Sequence, residues 1–172
     1  MWVKHENHTP IGAFKIRGGL VYFDELKRKS GNVSGVIAAT RGNHGQSIAF
    51  AAQRHGLHAV VVVPHGNSPE KNAAMRARQV VLIEHGTDYQ EAFEYAAQLA
   101  GSRQLHLVPT LDEPLVRGVA SYALELFRAV RDLHTLYVPI GLRSGICGAP
   151  VRSVKLYHRF ISAIAHNIEF KA

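Results

Sequence analysis

The stretch GVIAATRGNHGQ at residues 35–46 decides the fold, because it runs from an apolar strand through a glycine-containing turn into a helix. Val36–Ala39 is short and wholly apolar, as expected of a strand whose two faces are both covered by helices. Gln46–His55 then carries apolar residues three and four positions apart, which indicates a helix. A strand that passes through a tight turn into a helix is the repeating unit of a parallel α/β sheet.

The same alternation continues along the chain and predicts an α/β fold, with open parallel sheets and helices on both faces. Further strands are predicted at Ala59–Val63, Val80–Glu84, Leu105–Val108 and Leu136–Pro139. Further helices are predicted at Pro69–Gln79, Tyr89–Ala100 and Leu115–Leu133. Thr87 and Gln90 form a capping-box pattern before the second of these helices. Near the start of the chain, Trp2–Glu6 is predicted to be a strand and Phe14–Lys29 a helix.

The composition is that of an ordinary globular domain, with 172 residues of which 47% are hydrophobic and 19% charged. No apolar run reaches the length of a membrane span and no signal-peptide layout is present, so we expect a cytoplasmic protein with no membrane partner. Cys147 is the only cysteine, which excludes an intramolecular disulfide. The net charge of +7 is compatible with binding to a polyanion such as a nucleic acid. Because the basic residues are dispersed, however, we expect no nucleic-acid partner.

Lys15 lies at a loop-to-helix junction within TPIGAFKIRGG, residues 9–19. A lysine in the first turn of a helix is usually a solvated surface residue. A nucleophilic lysine must instead lose its proton, which requires desolvation or a neighbouring cation. Phe14 and Ile16 could supply apolar cover, and this segment alone leaves both roles open.

Two glycine-containing loops follow predicted strands. In TRGNHGQ, residues 40–46, free backbone N–H groups at a helix start would suit an anion such as a carboxylate. The alternative is that the glycines serve a tight turn while Asn43 caps the helix. In GLRSGICG, residues 141–148, the glycines could form a nest of N–H donors for a phosphate, although the loop matches no nucleotide-binding pattern. His5 and His8 lack a third ligand, so no metal site is predicted.

In this order, the three segments resemble the fold-type II pyridoxal-phosphate enzymes, and most of all the threonine/serine dehydratases, which are ammonia-lyases. The resemblance extends from Trp2 to Gly148 and depends on AFKIRG at residues 13–18 and GNHGQ at residues 42–46. It implies an incomplete fold like that of the tryptophan synthase β-subunit, with pyridoxal 5'-phosphate as the cofactor. The implied partner is a small-molecule amino acid, and the complete enzyme would be a homo-oligomer.

The resemblance also implies a role for each loop. Lys15 would bind the cofactor covalently and act as the catalytic base, and Asn43 would hydrogen-bond the phenolic oxygen of the cofactor. The substrate carboxylate would be bound by Thr40, Arg41, Gly42, Asn43, His44 and Gly45, through backbone N–H groups. The cofactor phosphate would be bound by Gly141, Ser144, Gly145 and Gly148.

The implied reaction converts L-threonine or L-serine to a 2-oxo acid and ammonia. The alternatives are a serine racemase, a β-replacing synthase and a non-catalytic remnant. Arg41 stands where serine racemases carry a serine base, which disfavours racemisation, and the GNHGQ form favours a dehydratase over a synthase. His44 is expected to have a structural or loop-orienting role.

The resemblance divides the chain into a small mobile domain at residues 35–112 and two parts of a large domain at 1–34 and 113–148. Arg143 replaces a usual glycine and would either crowd the phosphate or add a cation to it. Residues 149–172 form a basic tail unlike the family, which we attribute to a shifted reading frame or gene disruption. The alternative is an amphipathic helix at Val154–Ile168. With part of the large domain and the N-terminal helices absent, we expect weak or no catalysis and a tendency to associate.

Overall fold

A computed structural model of the chain describes residues 1–30, 33–141, 143–149 and 159–164. The helices are α1 (Lys15–Ser30), α2 (Asn43–Arg54), α3 (Pro69–Arg76), α4 (Tyr89–Ser102), α5 (Glu113–Ala129) and α6 (Ser144–Gly148). The strands are β1 (Gly35–Ala39), β2 (His58–Val63), β3 (Val81–Glu84), β4 (His106–Leu107), β5 (Thr135–Ile140) and β6 (Arg159–Ile164).

The main sheet has the strand order β3-β2-β1-β4, and all its strands are parallel. The chain adds β2 and β3 on one side of β1 and then returns to add β4 on the other side. The strand order therefore reverses at β1, and the carboxyl end of such a strand is where open α/β sheets bind ligands. The loop that follows β1 is the predicted carboxylate loop, so the topology places it at this position.

Both faces of the sheet are covered, as the apolar strands predict. On one face, Val36 and Ala38 of β1 pack with Ile48 of α2 and Phe23 of α1. On the other face, Ile37 of β1 packs against α4 together with alternate residues of β2. All five residues of β1 are buried, because each lies on one of two covered faces.

Helices α1 and α5 approach closely through glycines. A Cβ atom added to Gly18 would lie 2.7 Å from the backbone oxygen of Leu115, and one added to Gly118 would lie 2.8 Å from the Cα atom of Gly18. No side chain fits between the two backbones at these points. The contact fixes α1, and therefore Lys15 at its first position, against α5.

A second sheet pairs β5 with β6 in parallel, with Thr135 opposite Arg159 and Val138 opposite Ser162. A helix at Val154–Ile168 was one prediction for the tail, and it is wrong for Arg159–Ile164. The remaining residues of that predicted helix lie outside the described part of the chain. Among the described residues, no helix has the length and apolar character needed to cross a membrane.

Two further predictions are wrong, a strand near the start of the chain and the cap of α4. Residues 2–6 do not form a strand, and Lys4 and Glu6 form ion pairs with each other and, through Glu6, with Arg17. The N-cap of α4 is Asp88, whose carboxylate accepts a hydrogen bond from the backbone N–H of Glu91 at 2.9 Å. Thr87 donates to the Glu91 carboxylate, so these residues form a cap shifted by one position from the predicted box.

The other differences concern helix and strand ends. Helix α2 begins at Asn43, three residues earlier than predicted. Helix α3 ends at Arg76, and the chain then passes through turns to Gln79, whose φ is 59°. Helix α5 begins at Glu113 after the Asp112 cap and ends at Ala129, since Val130 is extended. Strand β4 keeps only two residues of its predicted four.

Candidate active site

The side chain of Lys15 projects from the start of α1 toward α6. Its Nζ atom donates a hydrogen bond to the Ser144 Oγ atom at 2.5 Å and lies 5.9 Å from the centre of the Phe14 ring. Burial lowers the pKa of the Lys15 amine below its ordinary value. Desolvation favours the uncharged amine, which is the nucleophilic form. The structure therefore joins two segments that are 129 residues apart and makes the amine more reactive than a surface lysine.

The predicted phosphate loop forms a tight wall beside Lys15. Ser144 is only 2% exposed, and a Cβ atom added to Gly145 would lie 3.1 Å from the Phe14 ring. A Cβ atom added to Gly148 would lie 3.0 Å from the Ala120 backbone nitrogen of α5. No atom of the described residues lies within 4 Å of a Cβ atom added to Gly141. The glycines at 145 and 148 thus allow close packing, whereas the one at 141 faces open space.

Arg143 adopts the left-handed backbone conformation, with a φ of 65°. Glycine adopts this conformation without a steric cost, which agrees with the expectation of a glycine at this position. The Arg143 side chain is exposed and does not fill the loop. Crowding of the phosphate and addition of a cation to it both stay predictions for this residue.

We expect Arg143→Gly to raise the free energy of unfolding by about 1 kcal/mol, because glycine relieves the left-handed strain. Arg143→Ala removes the same charge but keeps the strain, so it should give no such gain. Urea unfolding of the two variants measures the difference. Equal stabilities for glycine and alanine at this position would contradict the explanation.

The predicted carboxylate loop is organised by the hydroxyl group of Thr40. Its Oγ1 atom accepts hydrogen bonds from the backbone N–H groups of Gly42 at 3.0 Å and Gly45 at 3.1 Å. Gly42 and Gly45 therefore cannot use these N–H groups for a substrate in this state. For the N–H groups of Arg41, Asn43 and His44, the described part of the chain contains no hydrogen-bond partner. These three groups are the ones that remain for an anion.

The side chains of this loop divide into exposed and buried ones. Arg41 and Asn43 are exposed, and Asn43 is the first residue of α2 rather than its cap, which is Gly42. His44 is 4% exposed, and its Nε2 atom has no hydrogen-bond partner in the described structure. Burial, followed by the positive charge of Lys15, lowers the pKa of His44 to about 3, and a backbone hydrogen bond with Pro109 opposes them. His44 is therefore uncharged near neutral pH.

The low pKa of His44 predicts a loss of stability in mild acid. The unfolded chain binds a proton at this ring below about pH 6.5, whereas the folded chain does not until about pH 3, so stability falls as the pH drops. Between pH 7 and pH 5 the expected loss from this ring is about 2 kcal/mol. Urea unfolding at both pH values should show this loss for the wild type, relative to His44→Gln. Parallel pH dependences for the two proteins would contradict it.

Two further residues support the site and were not predicted from the sequence. The Ser47 hydroxyl donates to the Lys15 backbone oxygen at 2.7 Å, and the Tyr122 hydroxyl donates to the Gly145 backbone oxygen at 3.0 Å. Tyr122 belongs to the apolar stripe of α5, and its ring is buried in the core. Its hydroxyl group in an otherwise apolar stripe was the signal for a second role.

Comparisons with known proteins agree with this geometry. The family described as pyridoxal-phosphate dependent enzyme matches residues 1–151. The biosynthetic L-threonine dehydratase of Haemophilus influenzae is 33% identical over 142 residues, which are 82% of this chain and 28% of that protein. The L-threonine ammonia-lyase of Geobacter sulfurreducens is 34% identical over 142 residues, which are 82% of this chain and 35% of that protein. The chain thus spans about a third of the length of these relatives.

Solved structures show the same fold. A pyridoxal 5'-phosphate-dependent aspartate racemase matches with a TM-score of 0.83 at 28% identity, over 91% of this chain and 49% of that one. Threonine deaminase isoform 2 from Solanum lycopersicum matches with a TM-score of 0.81 at 27% identity, over 92% of this chain and 47% of that one. These matches confirm the fold-type II resemblance. The chain belongs to the family of pyridoxal-phosphate-dependent enzymes.

Proposed function

We propose that this chain forms part of an enzyme that converts a hydroxy amino acid, L-threonine or L-serine, to a 2-oxo acid and ammonia. The observation that carries the proposal is the desolvated Lys15 amine, held 2.5 Å from Ser144 at the start of the glycine loop. The named relatives in the sequence comparison support the reaction, because they are threonine dehydratases and an ammonia-lyase.

The residues of the site fit pyridoxal 5'-phosphate. An uncharged amine can condense with its aldehyde, and the Ser144 hydroxyl with the glycine loop can receive its phosphate. The tight packing of Gly145 on Phe14 and of Gly148 on α5 keeps the loop close to the amine. When bound, the cofactor supplies a ring that takes up negative charge from the substrate α-carbon.

The protein's own groups then have distinct roles. The Lys15 Nζ atom would take the α-proton, and burial, which lowers the pKa of this amine, favours the uncharged form that can accept it. The backbone N–H groups of Arg41, Asn43 and His44 would hold the substrate carboxylate, since no described residue accepts a hydrogen bond from them and they lie at or just before the start of α2. The exposed Asn43 side chain would bind the phenolic oxygen of the cofactor.

We also propose that residues 35–112 move as a small domain against residues 1–34 and 113–148. The sheet β3-β2-β1-β4 lies entirely within residues 35–112. Helix α1 packs closely on α5, and its Phe23 also contacts the sheet, so this second contact is the surface along which the two parts would move. The carboxylate loop therefore belongs to one part, and Lys15 and Ser144 belong to the other. Closure would bring the substrate carboxylate to the amine.

The complete enzyme is further proposed to be a cytoplasmic homo-oligomer that acts on a free amino acid. Trp2 is 73% exposed and Tyr137 is 68% exposed on the described surface. An exposed apolar surface of this kind fits contact with another surface, either the rest of the complete enzyme or a second subunit.

The reaction is tested by supplying the chain with pyridoxal 5'-phosphate and L-threonine in D2O. NMR would follow exchange of the α-hydrogen, and an enzymatic assay would follow 2-oxobutanoate and ammonia. We expect slow exchange and at most slow product formation, both of which should be absent in Lys15→Ala. Formation of D-allothreonine, the product of inversion at the α-carbon alone, without any 2-oxo acid would contradict the dehydratase assignment.

A further inference from the structure

The proposed function uses only the backbone N–H group of His44, although its side chain is a buried polar group. The ring is 4% exposed, and no donor or acceptor in the described structure meets its Nε2 atom. Buried polar atoms without a partner are rare in folded proteins and call for an explanation. A histidine held in this way near a reactive lysine has an unused hydrogen-bonding position.

The loop backbone on both sides of His44 is held in place. The Thr40 hydroxyl accepts hydrogen bonds from the N–H groups of Gly42 and Gly45 on the inside of the loop. A Cβ atom added to Gly45 would lie 2.5 Å from the Met75 sulfur, so α2 begins in close contact with its surroundings. With the ring 4% exposed in this loop, a partner of Nε2 has to reach it inside the protein.

The protonation of the ring follows from its contact with Pro109. The Pro109 backbone is a hydrogen-bond partner of the ring, and it acts as an acceptor because it raises the pKa of His44. Since Nε2 has no partner among the described residues, we assign the hydrogen to Nδ1. In the uncharged ring, Nε2 then presents a lone pair that can accept a hydrogen bond.

The start of α2 places His44 close to Lys15. Ser47 lies three residues after His44, on the same face of α2, and its hydroxyl contacts the Lys15 backbone oxygen at 2.7 Å. Lys15 is also the charged group that acts on the His44 ring. The amine of Lys15 currently contacts Ser144, but its side chain starts beside the helix that carries His44.

We propose that the Nε2 atom of His44 is a second hydrogen-bond position for the Lys15 amine, which it occupies after leaving Ser144. The proposal rests on the assignment of Lys15 as the reacting amine. No proton is transferred in this step. The ammonium keeps all its protons on Nζ and only donates a hydrogen bond to Nε2. His44 is thus a positioning residue.

The two positions would serve different stages of the reaction. At Ser144 the amine lies beside the predicted phosphate loop, and at His44 it would lie beside the predicted carboxylate loop. A neutral imidazole accepts from an ammonium and stabilises it. His44 would therefore hold the lysine in place while it carries the proton taken from the substrate.

The test measures the pKa of Lys15 in the chain without cofactor, by NMR of lysines carrying ¹³C-methyl groups. His44→Phe keeps a ring but removes the acceptor, and His44→Gln keeps an acceptor at similar reach. We expect the phenylalanine variant to lower the Lys15 pKa by about half a unit, a threefold change in the uncharged fraction. The glutamine variant should restore it. Equal Lys15 pKa values in wild type and His44→Phe would overturn the proposal, as would equal shifts in both variants.

A second measurement leaves His44 intact. Ser144→Ala removes the first partner of the amine, so the ammonium should move to His44 and shift the ¹⁵N resonance of Nε2. An unchanged Nε2 resonance would overturn the proposal. If Lys15 nevertheless reacts with pyridoxal 5'-phosphate, the proposed function survives and only the role of His44 fails.

Discussion

Replacing Gly118 by alanine is expected to lower the free energy of unfolding by about 3 kcal/mol, at the upper end of the usual cost of overpacking. The added Cβ atom would clash with the Arg17 backbone oxygen and lie 2.8 Å from both the Arg17 carbonyl carbon and the Gly18 Cα atom. Backbone atoms cannot rotate away as side chains do, so α1 and α5 must separate. The start of α1 should move with them and take Lys15 away from Ser144.

Gly101→Ala is the matched control for this variant. Gly101 lies in α4, and nothing is within 4 Å of a Cβ atom added there. Alanine is the better helix former, so this variant should be as stable as the wild type or slightly more so. Urea unfolding of both variants measures the difference. A Gly118→Ala protein as stable as the control would show that the two helices do not depend on this contact.

Replacing Thr40 by valine should cost about 3 kcal/mol, because it leaves two buried N–H groups without an acceptor. Thr40 is 1% exposed, and its hydroxyl is the acceptor for Gly42 and Gly45. Valine has nearly the same shape, so the loss reports the hydrogen bonds rather than a cavity. The carboxylate loop should also lose its fixed geometry.

Thr40→Ser keeps the hydroxyl and should retain most of the stability lost in Thr40→Val. Amide hydrogen exchange of Gly42 and Gly45 provides a local measurement beside urea unfolding. Protection of these two amides should drop in the valine variant and persist in the serine variant. Unchanged protection in Thr40→Val would contradict the role given to the hydroxyl.

Much of the fold was predictable because the strands of the main sheet are buried on both faces. β1 and β2 are almost wholly apolar for that reason, and their positions were predicted to within one residue. The edge elements were predicted less well, since their ends depend on single residues. Gln79, in the left-handed region, lies at the end of the turns that follow α3. The N-cap of α4 is Asp88, not the predicted Thr87.

The candidate site was predictable where chemistry requires a particular residue type in a motif. The lysine segment and the glycine loop are brought together by the contact between Lys15 and Ser144. Contacts between elements were not predictable in this way. Nothing in the sequence indicates that the Thr40 hydroxyl already occupies two of the loop N–H groups, or that His44 Nε2 is left without a partner in the described structure.

The central claim is that Lys15 is the lysine that binds the cofactor. Its most direct test is to incubate the chain with pyridoxal 5'-phosphate, reduce with borohydride and locate the adduct by peptide mass spectrometry. We predict one adduct per chain, on the peptide that contains Lys15, and its loss in Lys15→Ala. An adduct spread over several lysines and unchanged in Lys15→Ala would contradict the claim.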